Sequence, residues 1–170
     1  MNYAIPGFEL KQLTFDHKQE MMALHDTVLS LLPDPGWYFP SEEWEFDLWL
    51  KRGDAWGFFD GEILAGFAAI TPWHARGGHS YAQTLGEETE NTFDFHDMLV
   101  LPQYRGRGIH TTFLQMFRDL AAQTGATAIY ATVDPGNSAS WHNFEKAGYE
   151  IVCVQPAYDG RQRRYYKLSL

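Results

Sequence analysis

Cysteine is almost absent from this sequence, which has Cys153 alone among 170 residues. An internal disulfide is therefore excluded, and with it the stapled scaffolds of small secreted domains. Cys153 stands in the apolar run EIVCVQ, where a cysteine is expected to act as a small buried hydrophobe. No histidine lies near it in sequence, which weighs against a nucleophilic role. Long apolar runs are missing too, and none approaches the ~20 residues that span a bilayer. The start, MNYAIPGFELKQ, has neither the basic cluster nor the apolar stretch of a secretory signal. These features predict a cytoplasmic protein with no membrane partner. Basic residues are outnumbered, 13 Lys and Arg against 22 Asp and Glu, for a net charge of −9. Such a chain repels polyanions, so nucleic acid is not expected as a partner. No repeat, low-complexity stretch or linker interrupts it, and a single domain over residues 1–170 is predicted.

What is present is apolar and aromatic, 45% and 16% of residues, enough for a substantial core. Residues 8–15 suit a first strand. A helix is predicted over 16–32, N-capped by Asp16 and stopped by Pro33, Pro35 and Gly36. A second helix starts at Ser41, with Glu42 and Glu43 in its first turn, and ends at Gly53, with Trp44, Leu48 and Trp49 on one side. Two strands, AWGFFD and ILAGFAAITP, flank Asp60–Gly61, a strong hairpin signal. Residues 73–91 form a long polar connection, a length that in compact domains usually carries function. The strand TFDFHDMLVLP then leads through a Gly-rich turn into the helix IHTTFLQMFRDLAAQ, whose Phe113, Met116, Phe117 and Leu120 mark a buried stripe. A strand (TAIYATV), a short helix from near Asn137 and two strands (YEIVCVQP, QRRYYKLSL) follow. The order β-α-α-β-β-β-α-β-α-β-β describes an α/β domain with a mixed central sheet, two helices lying between its first and second strands.

The Gly-rich turn carries the chemistry. Glycines let backbone approach a ligand closely, and the free N–H groups that open a helix form an anion site. Arg105 and Arg107 add charge there, a local exception to the acidic whole. A diphosphate suits such a turn. GKS or GKT is absent, which removes a Walker loop, and Thr111 stands where a dinucleotide fingerprint needs glycine.

The run Val100-x-Pro102-x-Tyr104-Arg105-Gly106-Arg107-Gly108-Ile109 resembles the central cofactor motif of the GNAT acyltransferases. Downstream, Asn137-Ser138-Ala139-Ser140 and Phe144-Glu145-Lys146-Ala147-Gly148-Tyr149 resemble that family's second motif. The resemblance implies an acetyl-CoA-dependent N-acetyltransferase with a GNAT fold; no structural metal is expected, on the histidine spacing. It implies that the backbone of Met98, Leu99 and Val100 pairs with the pantetheine arm where this strand splays from TAIYATV. The amides of Arg105, Gly106, Arg107, Gly108, Ile109 and His110 would hold the pyrophosphate. Asn137 would reach the pantetheine region, with Ser140 and Phe144 packing near the arm. His110 replaces the motif's Gly or Ala and is expected to lean toward solvent, a phosphate contact being the alternative. Phe144 replaces the Tyr that protonates the departing thiolate in many members. With a thiol pKa near 8.5, that protonation is worth only about 2 kcal/mol at neutral pH, so water or another Tyr such as Tyr130 could serve.

Direct attack of an amine on the thioester needs a neutral nucleophile. Deprotonating an alkylamine of pKa near 10.4 costs about 4.6 kcal/mol at pH 7, so a base helps. Asp94 and His96 share one face of the entering strand, with Asp97 on the other. Asp94 matches a basic Glu of some family members and is the expected base, with His96 second. Backbone N–H groups near Leu99 and Val100 would steady the oxyanion. His74 and His79 fit no metal spacing and read as surface residues. Trp37, Tyr38, Phe39, Trp44 and Trp49 could line an acceptor pocket, though a tryptophan-rich helix is more often core. The acidic runs near Glu42 and Glu87 read mainly as solvated faces. A small-molecule or peptide amine is the expected acceptor, its identity not given by the sequence, and a homodimer is left open. Two other readings are a CoA-binding module with little catalysis, motivated by Phe144, and a nucleotide-phosphate-binding interaction protein.

Overall fold

The computed structural model describes residues 3–77 and 79–170; Met1, Asn2 and Gly78, the last inside the 73–91 connection, lie outside the described residues. Among the described residues, seven strands and five α-helices follow in the order β1 (Glu9–Gln12), α1 (Lys18–Ser30), α2 (Glu43–Arg52), β2 (Ala55–Asp60), β3 (Ile63–Pro72), α3 (Tyr81–Leu85), β4 (Thr92–Val100), α4 (Ile109–Gln123), β5 (Ala128–Val133), α5 (Ser138–Lys146), β6 (Glu150–Pro156) and β7 (Gln162–Ser169). The strands form one mixed sheet in the order β1-β2-β3-β4-β5-β7-β6. Pairs β1–β2, β2–β3, β5–β7 and β6–β7 are antiparallel. β4 and β5 run parallel and pair at Thr92↔Ala128, Phe93↔Ile129 and Asp94↔Tyr130, where the ladder ends among the described residues. The α/β class, the mixed sheet and the two helices between β1 and β2 are as expected.

Two compact units divide the chain. The first takes the chain up to Pro35, then Pro40–Ile70 and His96–Phe113. Its core is aromatic: Phe58 packs edge-on to Phe8 and against Phe113, with centroids 6.4 and 5.0 Å away. Phe46 meets Trp49, Phe67 and the His25 ring. Each such buried ring contributes roughly 1.5–3 kcal/mol of apolar burial. The stripe of α2 that does this is Phe46, Trp49 and Leu50. Trp44 faces water, so the predicted side with Trp44 and Leu48 is rotated by about half a turn of helix. Helix α2 is capped by Glu42 rather than Ser41, its N–H donating to Glu45 Oε2 at 3.0 Å. Ser41 is used elsewhere: its N–H donates to His25 Nε2 (3.2 Å) and its hydroxyl to Asp97 Oδ1 (2.9 Å). Asp16 likewise is not the cap of the first helix. A short 3-10 turn, Phe15–His17, precedes α1, and Thr14 N–H donates to His17 Nδ1 at 3.0 Å.

The second unit comprises Gly36–Phe39, Thr71–Phe95 and Leu114–Leu170. Phe95 lies edge-on to Phe117 and Phe144, and Phe144 also meets Tyr149 and Tyr166. The 73–91 connection is not all loop. Ser80 caps α3 by accepting from Gln83 N–H, and Ala82 packs against Ala128 and Tyr130 of β5. Cys153 is half-buried, not core, because β6 is the outermost strand and Ile151, Val152 and Val154 around it face water.

Candidate functional site

In the first unit, β4 delivers the chain into a turn built by two glycines. Gly106 (φ 74°) and Gly108 (φ 86°) both adopt the left-handed backbone, which a side chain would strain. A Cβ at either would meet nothing within 4 Å, so this turn opens onto free space. Helix α4 begins here, and its first turn closes when Thr112 N–H and hydroxyl both reach Gly108 C=O at 2.9 Å. The amides before that bond lie at the helix's open, positive end. Room, backbone donors and dipole together fit a diphosphate.

The arginines sit differently from one another. Arg105 Nε folds back on Val100 C=O at 3.4 Å, and the Arg107 guanidinium lies over the rings of Tyr104 and Phe8, at 5.4 and 6.0 Å. Both remain exposed and add positive charge beside the turn. His110, expected to lean toward solvent, is instead half-buried, and burial pushes its imidazole down to about 4. It is neutral at pH 7, so it brings no cation to a phosphate.

Behind the turn, Gly66 of β3 explains how closely the strands approach. A Cβ there would sit 2.9 Å from Leu99 O, 3.1 Å from Val100 Cγ2 and 3.3 Å from Ile109 Cγ2. Leu101 N–H donates to Ala65 C=O at 2.9 Å, holding the end of β4 in place. Met98 and Val100 are half-buried and Leu99 is buried. His96 stacks on Trp49, centroids 5.7 Å apart and planes 25° from parallel.

In the second unit, Asp94 is 3% exposed, and both its oxygens accept from Tyr81 N–H, at 3.1 and 3.2 Å. Desolvation raises its carboxyl to about 7, against the pull of that hydrogen bond. Asn137 caps α5, its Oδ1 accepting from Ser140 N–H at 3.3 Å. Phe144 is enclosed by its three ring partners of β4, β7 and the Gly148–Tyr149 turn, leaving it little surface for a ligand. Tyr130 donates its hydroxyl to Glu87 at 2.6 Å, and burial together with that carboxylate lifts it to about 12.

Residues 23–149 match the sequence profile of the acetyltransferase (GNAT) family. The chain belongs to that family. No curated protein matches the chain by sequence. Among solved structures, the N-acetyltransferase from Staphylococcus aureus Mu50 superposes with a TM-score of 0.71 at 17% identity, covering 95% of this chain and 98% of its own. The yncA protein of Salmonella typhimurium, described as an acetyltransferase and solved with its cofactor acetyl-CoA, gives 0.69 at 15% identity, covering 96% and 94%. The ribosomal-protein-S18-alanine N-acetyltransferase of Escherichia coli gives 0.67 at 14% identity, covering 95% and 93%. At these identities the likeness establishes a GNAT fold.

Outside the motifs, three further residues shape these two units, one in the first and two in the second. Gly66 lies inside a strand, where a glycine signals close backbone approach. Tyr81 follows Ser80 in the polar connection, a cap signal inside a segment taken for loop. Arg163 sits in QRRYYKLSL, a basic residue alternating with buried aromatics, and it is buried.

Proposed function

We propose that this chain is an N-acetyltransferase that moves an acetyl group from acetyl-CoA to a primary amine by direct attack. The observation that carries the reading is the left-handed Gly106–Gly108 turn joining β4 to the open end of α4, inside the segment that matches the family. Acetyl-CoA supplies an activated acyl carbon. The amides of Arg105 to His110 hold its diphosphate, with Arg105 and Arg107 adding charge. The backbone of Met98 to Val100 lies along the acyl-bearing arm, and the N–H groups of Leu99 and Val100 steady the oxyanion. Attack forms a C–N bond and breaks the C–S bond. The ammonium proton goes to a base and the thiolate takes a proton.

Asp94 is the base this reading favours, on the strength of its raised carboxyl. A carboxyl raised to about 7 is half ionised at neutral pH, and a base of that strength suits proton transfer near the working pH. His96 is the second candidate, with its ring stacked on Trp49. Tyr130 is poorly suited as acid, since its proton is committed to Glu87. Phe144 has none to give, so the thiolate takes its proton from water, a step favourable by only about 2 kcal/mol at pH 7.

Titrating acetyl-CoA into wild type and Gly108→Trp by calorimetry tests the donor site. Micromolar binding that the variant loses supports it, and no binding by folded wild type sinks it. A second reading, a CoA-binding protein with little turnover, is favoured by Phe144. Release of CoA thiol with any amine acceptor removes that reading.

A further inference from the structure

The second unit spends a fully buried arginine on three surface segments. Arg163, 2% exposed, donates from Nη1 to Gly36 C=O (3.1 Å) and Asp134 Oδ2 (2.5 Å), and from Nη2 to Asp159 Oδ2 (2.7 Å). It thereby ties the segment 36–39, the end of β5 and the β6–β7 hairpin together. Separating these buried partners would leave an uncompensated charge, which holds the three segments in this arrangement. The geometry held here ends in two rings. Phe39 and Tyr158 meet at 5.3 Å with planes 60° apart, yet they are 47% and 56% exposed. Trp37 of the same segment lies against the turn before α5, its indole nitrogen 2.8 Å from where a Gly136 Cβ would stand. Inward from the rings is a line of hydroxyls. Tyr158 Oη lies 3.4 Å from Thr132 Oγ1, and Thr132 also hydrogen-bonds the Tyr81 side chain. Tyr81 is the residue whose N–H binds Asp94.

The charges around this surface narrow its ligand. Asp134 and Asp159 are both matched to Arg163, Glu87 is matched to Lys167 and Tyr130, and Asp94 is held by Tyr81 N–H. Asp134 and Asp159 share the single Arg163 guanidinium, which leaves one net negative charge there, a match for one ammonium rather than for a polycation. Aromatic faces instead attract flat apolar groups and a single alkylammonium.

We infer that Phe39 and Tyr158, positioned by the Arg163 clamp, are specificity residues for the acceptor, and that the acceptor is a monoamine bearing an aryl group rather than a polyamine or aminoglycoside. This rests on the acetyltransferase reading, whose Asp94 base accepts from the main-chain N–H of Tyr81, the residue whose side chain ends the hydroxyl line.

The test compares phenethylamine, butylamine and putrescine by ligand-observed NMR titration of the full chain, as wild type and as Phe39→Ala/Tyr158→Ala. Both rings are exposed, so the double variant is expected to keep its circular dichroism spectrum. Wild type should bind phenethylamine roughly five- to ten-fold more tightly than butylamine, and putrescine more weakly than either. The double variant should lose most of that aryl preference while its acetyl-CoA titration is unchanged. In turnover, KM for phenethylamine should rise with kcat retained. An aryl preference that survives in the variant, or putrescine binding as tightly as phenethylamine to wild type, overturns the proposal. Acetyl-CoA binding is read separately: wild type that binds acetyl-CoA but shows no aryl preference overturns this inference and leaves the donor site standing.

Discussion

Asp94, buried, and His110, half-buried, are both desolvated titratable groups, and they push stability in opposite directions with pH. Asp94 rises from 3.8 to about 7 on folding, so between those values the folded chain binds more protons than the unfolded one. Its contribution therefore falls as pH rises through that window, by an amount on the order of a few kcal/mol. His110 falls from 6.5 to about 4, so it makes the unfolded chain the stronger proton binder and lowers stability as pH drops through that window. Asp94→Asn is expected to remove the first effect alone. In urea denaturation it should gain stability over wild type at pH 8 but not at pH 4, and its own curve should decline below pH 6.5 through His110. The same substitution bears on catalysis. The wild-type kcat/KM profile should rise with an apparent pKa near that of Asp94, and Asp94→Asn should lose that limb along with roughly 10²–10⁴-fold of rate. An unchanged profile would move the base assignment to His96 or to the amine itself. Phe144 gives a third test at this scale. Its ring is enclosed by Phe95, Tyr149 and Tyr166, so Phe144→Tyr adds a hydroxyl to a crowded apolar site. We expect a loss of about 1–3 kcal/mol in unfolding free energy and no gain in kcat; a faster enzyme would show the thiolate within reach of this position.

Between elements, the close approach at Gly66 couples β3 to both ends of the donor turn. A methyl group there meets a main-chain oxygen, which cannot rotate away, so the strands must part. Gly66→Ala is expected to cost about 1–3 kcal/mol and to weaken acetyl-CoA binding by displacing Leu99 and Val100, whereas Gly57→Ala meets mainly the flexible side chains of Leu64 and Leu13 and should spare the donor site. Calorimetric titration of the two variants separates these outcomes. The example also marks where sequence reasoning ran out. Periodicity and turn residues gave the strands, the long helices and the Gly106–Gly108 turn, because those signals are local. The face of α2 differs from the expected one at Trp44, which lies two residues, about 200° around the helix, from the buried Phe46; hydrophobicity alone does not separate the two, while Trp49 is buried as expected. Helix α3 was hidden in a polar segment, since its stability comes from β5 and Asp94, both distant in sequence. The β6 run looked like core by composition. Only its place at the end of the sheet order makes it surface.

Seen as a whole molecule, the chain combines a strong negative charge with an apolar sheet edge, and the two act against each other. A charge of −9 at neutral pH keeps copies apart, and it vanishes near the sequence pI of about 5.1. The edge presented by β6 carries Ile151, Val152 and Val154 exposed, with Glu150 as its one charged residue. Unpaired strand edges of this kind are templates for association, held in check by charge, by bulges and by proline. β6 has a register shift between Ile151 and Cys153 and ends in Pro156, which leaves charge as the variable term. Light scattering should therefore report association that grows as pH falls from 7.5 toward 5 and as salt screens the net charge. Val154→Lys places a cation on the edge itself and should suppress that association at pH 5 while leaving acetyl-CoA binding intact. Association of equal extent in the variant would assign it to another surface. A wild type that is already a stable dimer at pH 7.5, dissociated by Val154→Lys, would mean instead that the edge is an evolved interface between copies of the chain.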